Sequence, residues 1–202
     1  MSQKWNYLYF ILMLLLFNSC TNSNSTEINT EEIEETTLKP NPTHGLRAVS
    51  LEEHELNIHV YVPEKFYEDE EGYPRYVQPN IIHNTGEARW EITLPGNRRW
   101  HLVIEEMGED SSSIKSEISR LKAVDFFAYN FKEKNQNYIV YTRTLKAENT
   151  TLDSNQLSGL PNYHFYCNRT INDYNLVFKN FEMKDFRKLT IEKMLISSNN
   201  AY

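Results

Sequence analysis

From about residue 46 onward the chain alternates apolar and polar side chains with a period of two, and this period gives way twice to a helical one. Leu56, Ile58, Val60 and Val62 alternate with Asn57, His59 and Tyr61, which predicts a half-buried strand ended by Pro63. Residues 63–79 (PEKFYEDEEGYPRYVQP) hold three prolines, a run of acids and four aromatics, and read as a long loop. Asn80 to His83 is a short strand turned by Asn84-Thr85-Gly86. Next, Trp90, Ile92 and Leu94 alternate with Glu91 and Thr93, Pro95-Gly96-Asn97 turns the chain, and Trp100, Leu102 and Ile104 alternate with His101, Val103 and Glu105. A three-residue loop would set Leu94 opposite Arg98, Ile92 opposite Trp100 and Trp90 opposite Leu102, with every large apolar residue on one face. The tryptophans are then core residues before they are a ligand platform.

The first helical stretch has Ile114, Ile118 and Leu121 on one side and Lys115, Glu117, Arg120 and Lys122 around the other, capped by Asp110 or a neighbouring serine. Phe127, Tyr129 and Phe131 then share one face, residues 134–137 turn, and Tyr138, Val140 and Thr142 alternate with Ile139, Tyr141 and Arg143. This predicts a second hairpin, with a helix running on to Phe131 as the alternative. Residues 146–160 read as a polar loop. A third hairpin spans Tyr163 to Met183 around Asn172-Asp173, and a helix from Asp185 or Thr190 to Ser197 offers Phe186, Leu189, Met194 and Leu195 for packing. Consecutive hairpins imply antiparallel pairing. The fold class is α+β: an antiparallel meander sheet of hairpins packed by two helices.

The first twenty residues follow a different pattern. Lys4 precedes an eleven-residue apolar run, Tyr7 to Phe17, broken by Asn18-Ser19-Cys20. A bilayer-spanning helix needs roughly 20 apolar residues and a signal-peptide core about 7–15, so the run has signal length. Together these residues resemble a bacterial lipoprotein signal of the Bacteroidota type. The resemblance implies cleavage before Cys20 and its acylation, and hence attachment of the chain to an envelope membrane, the outer membrane in particular. Phe17 and Asn18 depart from the usual residues, and an ordinary secretory signal or an uncleaved anchor are the alternatives. On this reading residues 1–19 are the signal, 20–45 a lipidated cysteine and polar tether, and 46–202 a single domain. The tether is rich in Asn, Ser, Thr and Glu and carries no aromatic residue, so it cannot bury enough surface to fold. Fully flexible, it would reach roughly 25–30 Å.

Charge narrows the partners. Residues 1–19 hold one lysine and no acid, so the remaining chain has 20 basic against 28 acidic residues, a net charge of −8. This argues against nucleic acid and against electrostatic docking on an anionic leaflet. Of the two cysteines, Cys20 is taken by the lipid, which leaves Cys167 without a partner in the chain. It sits in an aromatic strand (HFYCN), so a buried structural thiol is expected. His164, three residues away, points to the opposite face of that strand.

No nucleophile elbow, phosphate-binding glycine loop or paired-cysteine motif occurs, no two histidines have chelating spacing, and no cofactor is implied. The acids at 68–71 lack the alternating ligand spacing of a calcium loop. Asn149-Thr150-Thr151 and Asn168-Arg169-Thr170 match the glycosylation triplet, read here as chance. His59, His83 and His101 could converge if their strands adjoin, and His101 could pair with Glu105 or Glu106, although solvated strand residues are the plainer reading. The candidate binding surface comprises His59, Tyr61, Tyr67, Tyr73, Tyr76 and His101.

The opening strand into a proline (NIHVYVP, 57–63), the acidic-aromatic loop, the tryptophan hairpin and the closing strand-to-helix (LVFKNFEM, 176–183, then the helix through Met194) together resemble small secreted lipoproteins with a PsbP-like α/β sandwich. The resemblance covers about residues 55–198 and is one of layout. It implies a non-enzymatic accessory or binding subunit with a protein partner. The alternatives are an immunity-type lipoprotein that neutralises a cationic toxin through loop 63–79, and a ligand-binding or hydrolytic domain using Tyr61, His59, His101 and tryptophan.

Overall fold

The computed structural model describes residues 41–109, 113–146 and 162–202. The signal, Cys20, the tether as far as residue 40, most of the loop 146–160 and the triplet at 149–151 lie outside the described residues. The elements are β1 (Leu46–Ser50), β2 (His59–Pro63), β3 (Phe66–Glu68), β4 (Pro74–Tyr76), β5 (Asn80–Asn84), β6 (Arg89–Leu94), β7 (Asn97–Glu106), α1 (Ile114–Lys122), β8 (Phe127–Lys134), β9 (Tyr138–Leu145), β10 (Tyr163–Ile171), β11 (Tyr174–Asn180) and α2 (Lys188–Asn200).

Seven strands build one antiparallel sheet in the order β5-β6-β7-β11-β10-β9-β8. It is two meanders laid edge to edge. After β7 the chain passes through α1 to the far edge, and β8 to β11 run back until β11 pairs with β7. The described residues are therefore mostly antiparallel sheet packed by two α-helices, an α+β arrangement. Strands β1 and β2 form a separate two-stranded ribbon, as do β3 and β4.

Strand alternation sends side chains to two cores. One side gathers Trp90, Ile92, Trp100, Leu102, Ile104, Phe165, Cys167, Leu176 and Phe178 with Ile191, Met194 and Leu195 of α2 and Val60 and Val62 of β2. The other side packs Ile139, Tyr141, Tyr166 and Val177 against Ile114 and Leu121 of α1. Ser113 caps α1, accepting a hydrogen bond from the Ser116 amide at 3.1 Å. Docking of α2 also uses polar atoms. The Ser197 hydroxyl donates to the Tyr61 carbonyl at 2.6 Å and accepts from the Tyr61 amide at 3.1 Å, closing the outer edge of β2. Arg169 Nη1 donates to the carbonyls of Ser198 (2.7 Å) and Ala201 (3.1 Å), placing a cation at the negative end of the helix.

Several expectations are corrected. The tryptophan hairpin pairs Ile92 with Leu102 and Trp90 with Ile104, two residues away from the anticipated register. Pro95-Gly96 is a two-residue turn between Leu94 and Asn97, and the irregularity that follows Thr93 absorbs the extra residues of β7. A slip of two keeps each side chain on its face, so hydrophobic pattern alone cannot distinguish the two registers. Residues 127–134 are strand, which removes the helical alternative. The loop 63–79 contains the β3–β4 ribbon, and β1 has no counterpart in the sequence reading. Leu189 and Met183 are 65% and 82% exposed and take no part in the core.

Candidate functional site

The β3–β4 ribbon carries the largest group of exposed aromatics on a single element. Phe66, Tyr67, Tyr73 and Tyr76 are 51%, 53%, 59% and 43% exposed. Its three-residue strands pair Phe66 with Tyr76, and the two rings tilt together with centroids 4.4 Å apart. Such short strands need their turn fixed from within, and Asp69 does this. Its carboxylate accepts from the amides of Glu71 (3.1 Å) and Tyr73 (2.8 Å) and from Arg75 Nε (2.8 Å). Gly72 adopts φ +81°, which a side chain would strain. The Arg75 guanidinium and the two amides hold the Asp69 carboxyl below the usual carboxylate range.

Both ends of the ribbon are tied to the domain. Lys65 Nζ donates to the Pro95 carbonyl at 3.1 Å. Arg47 Nη2 donates to the Val77 carbonyl at 2.9 Å, and its guanidinium lies 5.2 Å from the Tyr76 ring centre. The ribbon is thus internally bonded and anchored while its aromatic rings stay in water. Glu68, Glu70 and Glu71 on the same turn make no ion pair among the described residues, because Arg75 is committed to Asp69.

The other predicted surface residues fall elsewhere. His59 and Tyr61 of β2 meet Tyr202: the His59 ring stacks on it at 5.0 Å, and Tyr61 lies 6.3 Å from it, tilted. The backbones of His59 and Tyr202 exchange two hydrogen bonds, of 2.6 and 3.2 Å. His101 is not a surface residue. At 7% exposure it stacks on Phe181 at 4.3 Å, and its Nε2 lies 2.7 Å from Glu91 Oε2. Burial lowers its pKa, against the opposing pull of Glu91. Glu105 and Glu106 are not its partners. His83 stacks on Trp90 at 4.5 Å beside Glu55, so the three histidines keep separate neighbours and do not form a cluster. Among the described residues no group of three or more His, Cys, Asp or Glu side chains is placed to hold a metal ion.

Two polar arrangements were not legible in the sequence. In the first, Asn180 Oδ1 accepts the Phe165 amide at 2.9 Å, which fixes the orientation of its side-chain amide. Asn180 Nδ2 then donates to His164 Nδ1 at 2.9 Å, so the imidazole proton sits on Nε2 and is donated to Asp185 Oδ1 at 2.8 Å. Arg143 Nε also donates to that oxygen, at 2.9 Å. Burial, reinforced by Arg143 and opposed by Asp185, pushes the His164 pKa down to about 4. The pair resembles half of an acid–base relay, but both ring nitrogens are committed. Cys167 faces the opposite core, fully buried, its thiol pushed up to about 12 by burial and 3.7 Å from Asn199 Oδ1. The two share no site. No local sequence signal marks Asp185 as the partner of His164, 21 residues away.

In the second, α1 leaves an open groove of about 510 Å³ along the sheet, lined by Glu105, Glu117, Arg120, Lys179 and Glu182 among others. Lys179 Nζ bridges Glu105 (2.9 Å) and Glu182 (3.0 Å), and Arg120 grips buried Glu117 through two bonds of 2.7 Å. Burial disfavours the charged form of Glu182, yet Lys179, Arg120 and Arg89 outweigh it and hold its carboxyl below the usual range. Each of these five groups is ion-paired within the groove, three carboxylates sharing two cations.

No helix among the described residues is long and apolar enough to cross a membrane. Compared with known proteins, the chain matches no family model, and no curated protein and no solved structure is found to be similar to it.

Proposed function

We propose that this chain is a lipid-anchored cell-envelope protein whose domain binds a protein partner without catalysing a reaction, and that the β3–β4 ribbon is its docking surface. One observation carries the docking reading: four aromatic rings stand in water on a ribbon whose backbone is internally hydrogen-bonded and tied down at both ends. Rigid aromatics lose little entropy on binding and are the side chains that dominate protein interfaces. The anchor rests on the signal-like run ending at Cys20, and an accessory role accords with the layout likeness to PsbP-like sandwiches.

The test is a capture experiment on detergent-solubilised envelope with the tagged chain at native expression. The intact chain should return one dominant partner, and a Phe66→Ala/Tyr76→Ala variant should lose it while unfolding at an unchanged denaturant concentration. Recovery of nothing by the intact chain, or equal recovery by the variant, would count against the proposal. The anchor is tested separately by labelling with a fatty-acid analogue: Cys20→Ala should abolish incorporation.

The uncompensated acids Glu68, Glu70 and Glu71 beside the aromatics favour a second reading, neutralisation of a cationic toxin. Deleting the gene should then sensitise cells to a toxin encoded beside it, and a chromosomal position without such a neighbour removes this reading.

A further inference from the structure

The seven-stranded sheet ends in β5 on one side and β8 on the other, and the chain treats these edges differently. Exposed strand edges offer unpaired amides and carbonyls to other chains, and proteins blunt them with charge, proline or a bulge. Strand β8 has such protection: Lys132, Glu133 and Lys134 line its second half, and its register breaks between Phe131 and Glu133. Strand β5 has none. Asn80-Ile81-Ile82-His83-Asn84 carries no formal charge apart from a titratable histidine, no proline, and no break in its five-residue register with β6. Among the described residues no strand pairs with its outer side. Ile82, at its centre, is 54% exposed, while Asn80 and Asn84 flank it, also exposed.

We infer that β5 is the interface between two copies of this chain, which pair antiparallel about a two-fold axis at Ile82 and join their sheets edge to edge. The occupant follows from the order of residues. Read against itself in reverse, N-I-I-H-N sets Ile82 against the partner's Ile82, Asn80 against Asn84 and Ile81 against His83. A two-fold interface must be self-complementary in this way. The central pair removes two exposed isoleucine side chains from water, and the flanking amides can donate and accept across the axis. No like charges meet on the strand itself, and the carboxylate beside it, Glu55, lies 3.4 Å from His83 Nδ1. An antiparallel two-fold supplies backbone bonds whichever alternate residues of β5 point outward. The interface is independent of the ribbon proposed above as the docking surface for a different partner.

The pairing is weak and reversible, because a five-residue edge lies at the small end of specific interfaces. It is tested on the chain from Cys20, carrying Cys20→Ser, by sedimentation velocity from about 1 µM to several hundred µM, a range suited to small interfaces. The expected result is a monomer–dimer equilibrium that Ile82→Lys weakens more than about tenfold, through lost apolar burial at both Ile82 side chains. A second measurement does not depend on that substitution being tolerated. Directly opposed antiparallel residues have Cα atoms about 4.5–5.5 Å apart, within disulfide range. Ile82→Cys should therefore oxidise to a covalent dimer, whereas Asn130→Cys on exposed β8 should not; Cys167 is buried and silent. A monomer at every concentration, a dimer indifferent to Ile82→Lys, or equal cross-linking of the two cysteine variants would each overturn the inference.

Discussion

Lowering the pH should destabilise this protein well before its carboxylates are protonated, and His164 is the reason. In the folded chain the imidazole is 1% exposed, stacked on Tyr141 at 5.4 Å, and neutral down to a pKa of about 4. In the unfolded chain the ring titrates near the ordinary value of 6.5. Between these two values the unfolded state binds more protons, so stability falls as the pH falls. The contribution is fully present above about pH 6.5 and is spent by about pH 4. With 1.36 kcal/mol per pH unit, the whole window amounts to about 3 kcal/mol, of which about 2 kcal/mol is lost between pH 7 and pH 5. Against the 5–15 kcal/mol typical of a whole domain, that is a substantial fraction.

The assay is urea denaturation at pH 7, 6 and 5 for the natural chain and for His164→Gln. Glutamine can still bond Asn180 and Asp185 but does not titrate. Buried His101 acts in the same direction as His164, so the natural chain should lose at least the amount assigned to His164. The difference between the two chains isolates His164, and the variant should be less pH-sensitive by about 2 kcal/mol between pH 7 and pH 5. Histidine NMR supplies a direct reading, in which the His164 resonance should not titrate above pH 5. Parallel stability profiles, or a His164 titration at or above the ordinary value, would show that Asp185 rather than burial governs the ring and would refute the reasoning.

Three further outcomes follow from the same contacts. Arg169→Ala should cost about 1–3 kcal/mol in chemical denaturation, because the carbonyls of Ser198 and Ala201 lose a charged donor at the end of α2. Cys167 should fail to react with a thiol reagent at pH 8 in the folded chain and react at once in urea, since its thiol is buried and pushed up to about 12. Ile104→Ala should cost about 2–5 kcal/mol, because Ile104 is fully buried opposite Trp90.

What the sequence made legible, and what it left hidden, divides along physical lines. Period-two alternation fixes which face a side chain takes, so the three hairpins, the buried tryptophans and the opposite facing of His164 and Cys167 could all be read in advance. It does not fix which strands become neighbours. The placement of β11 beside β7 is decided by α1, which must cover a sheet face and so delivers β8 to the far edge. Nor does it mark polar contacts between distant segments, such as His164 with Asp185 or Arg120 of α1 with Glu182. The candidate site shows the same split. The aromatics at 66–76 were visible as a composition anomaly, but three prolines and a cluster of acids made the stretch look like loop. The ribbon exists because Asp69 supplies from its side chain the hydrogen bonds that two three-residue strands are too short to organise alone. His101 was misplaced for a related reason: alternation put it on the polar face of its strand, and that face is covered locally by Phe181 and Glu91. A polar face is therefore not the same as an exposed one wherever a second layer crosses it. Among the large apolar residues that stay in water here are those of the β3–β4 ribbon and Ile82 on the outer strand β5.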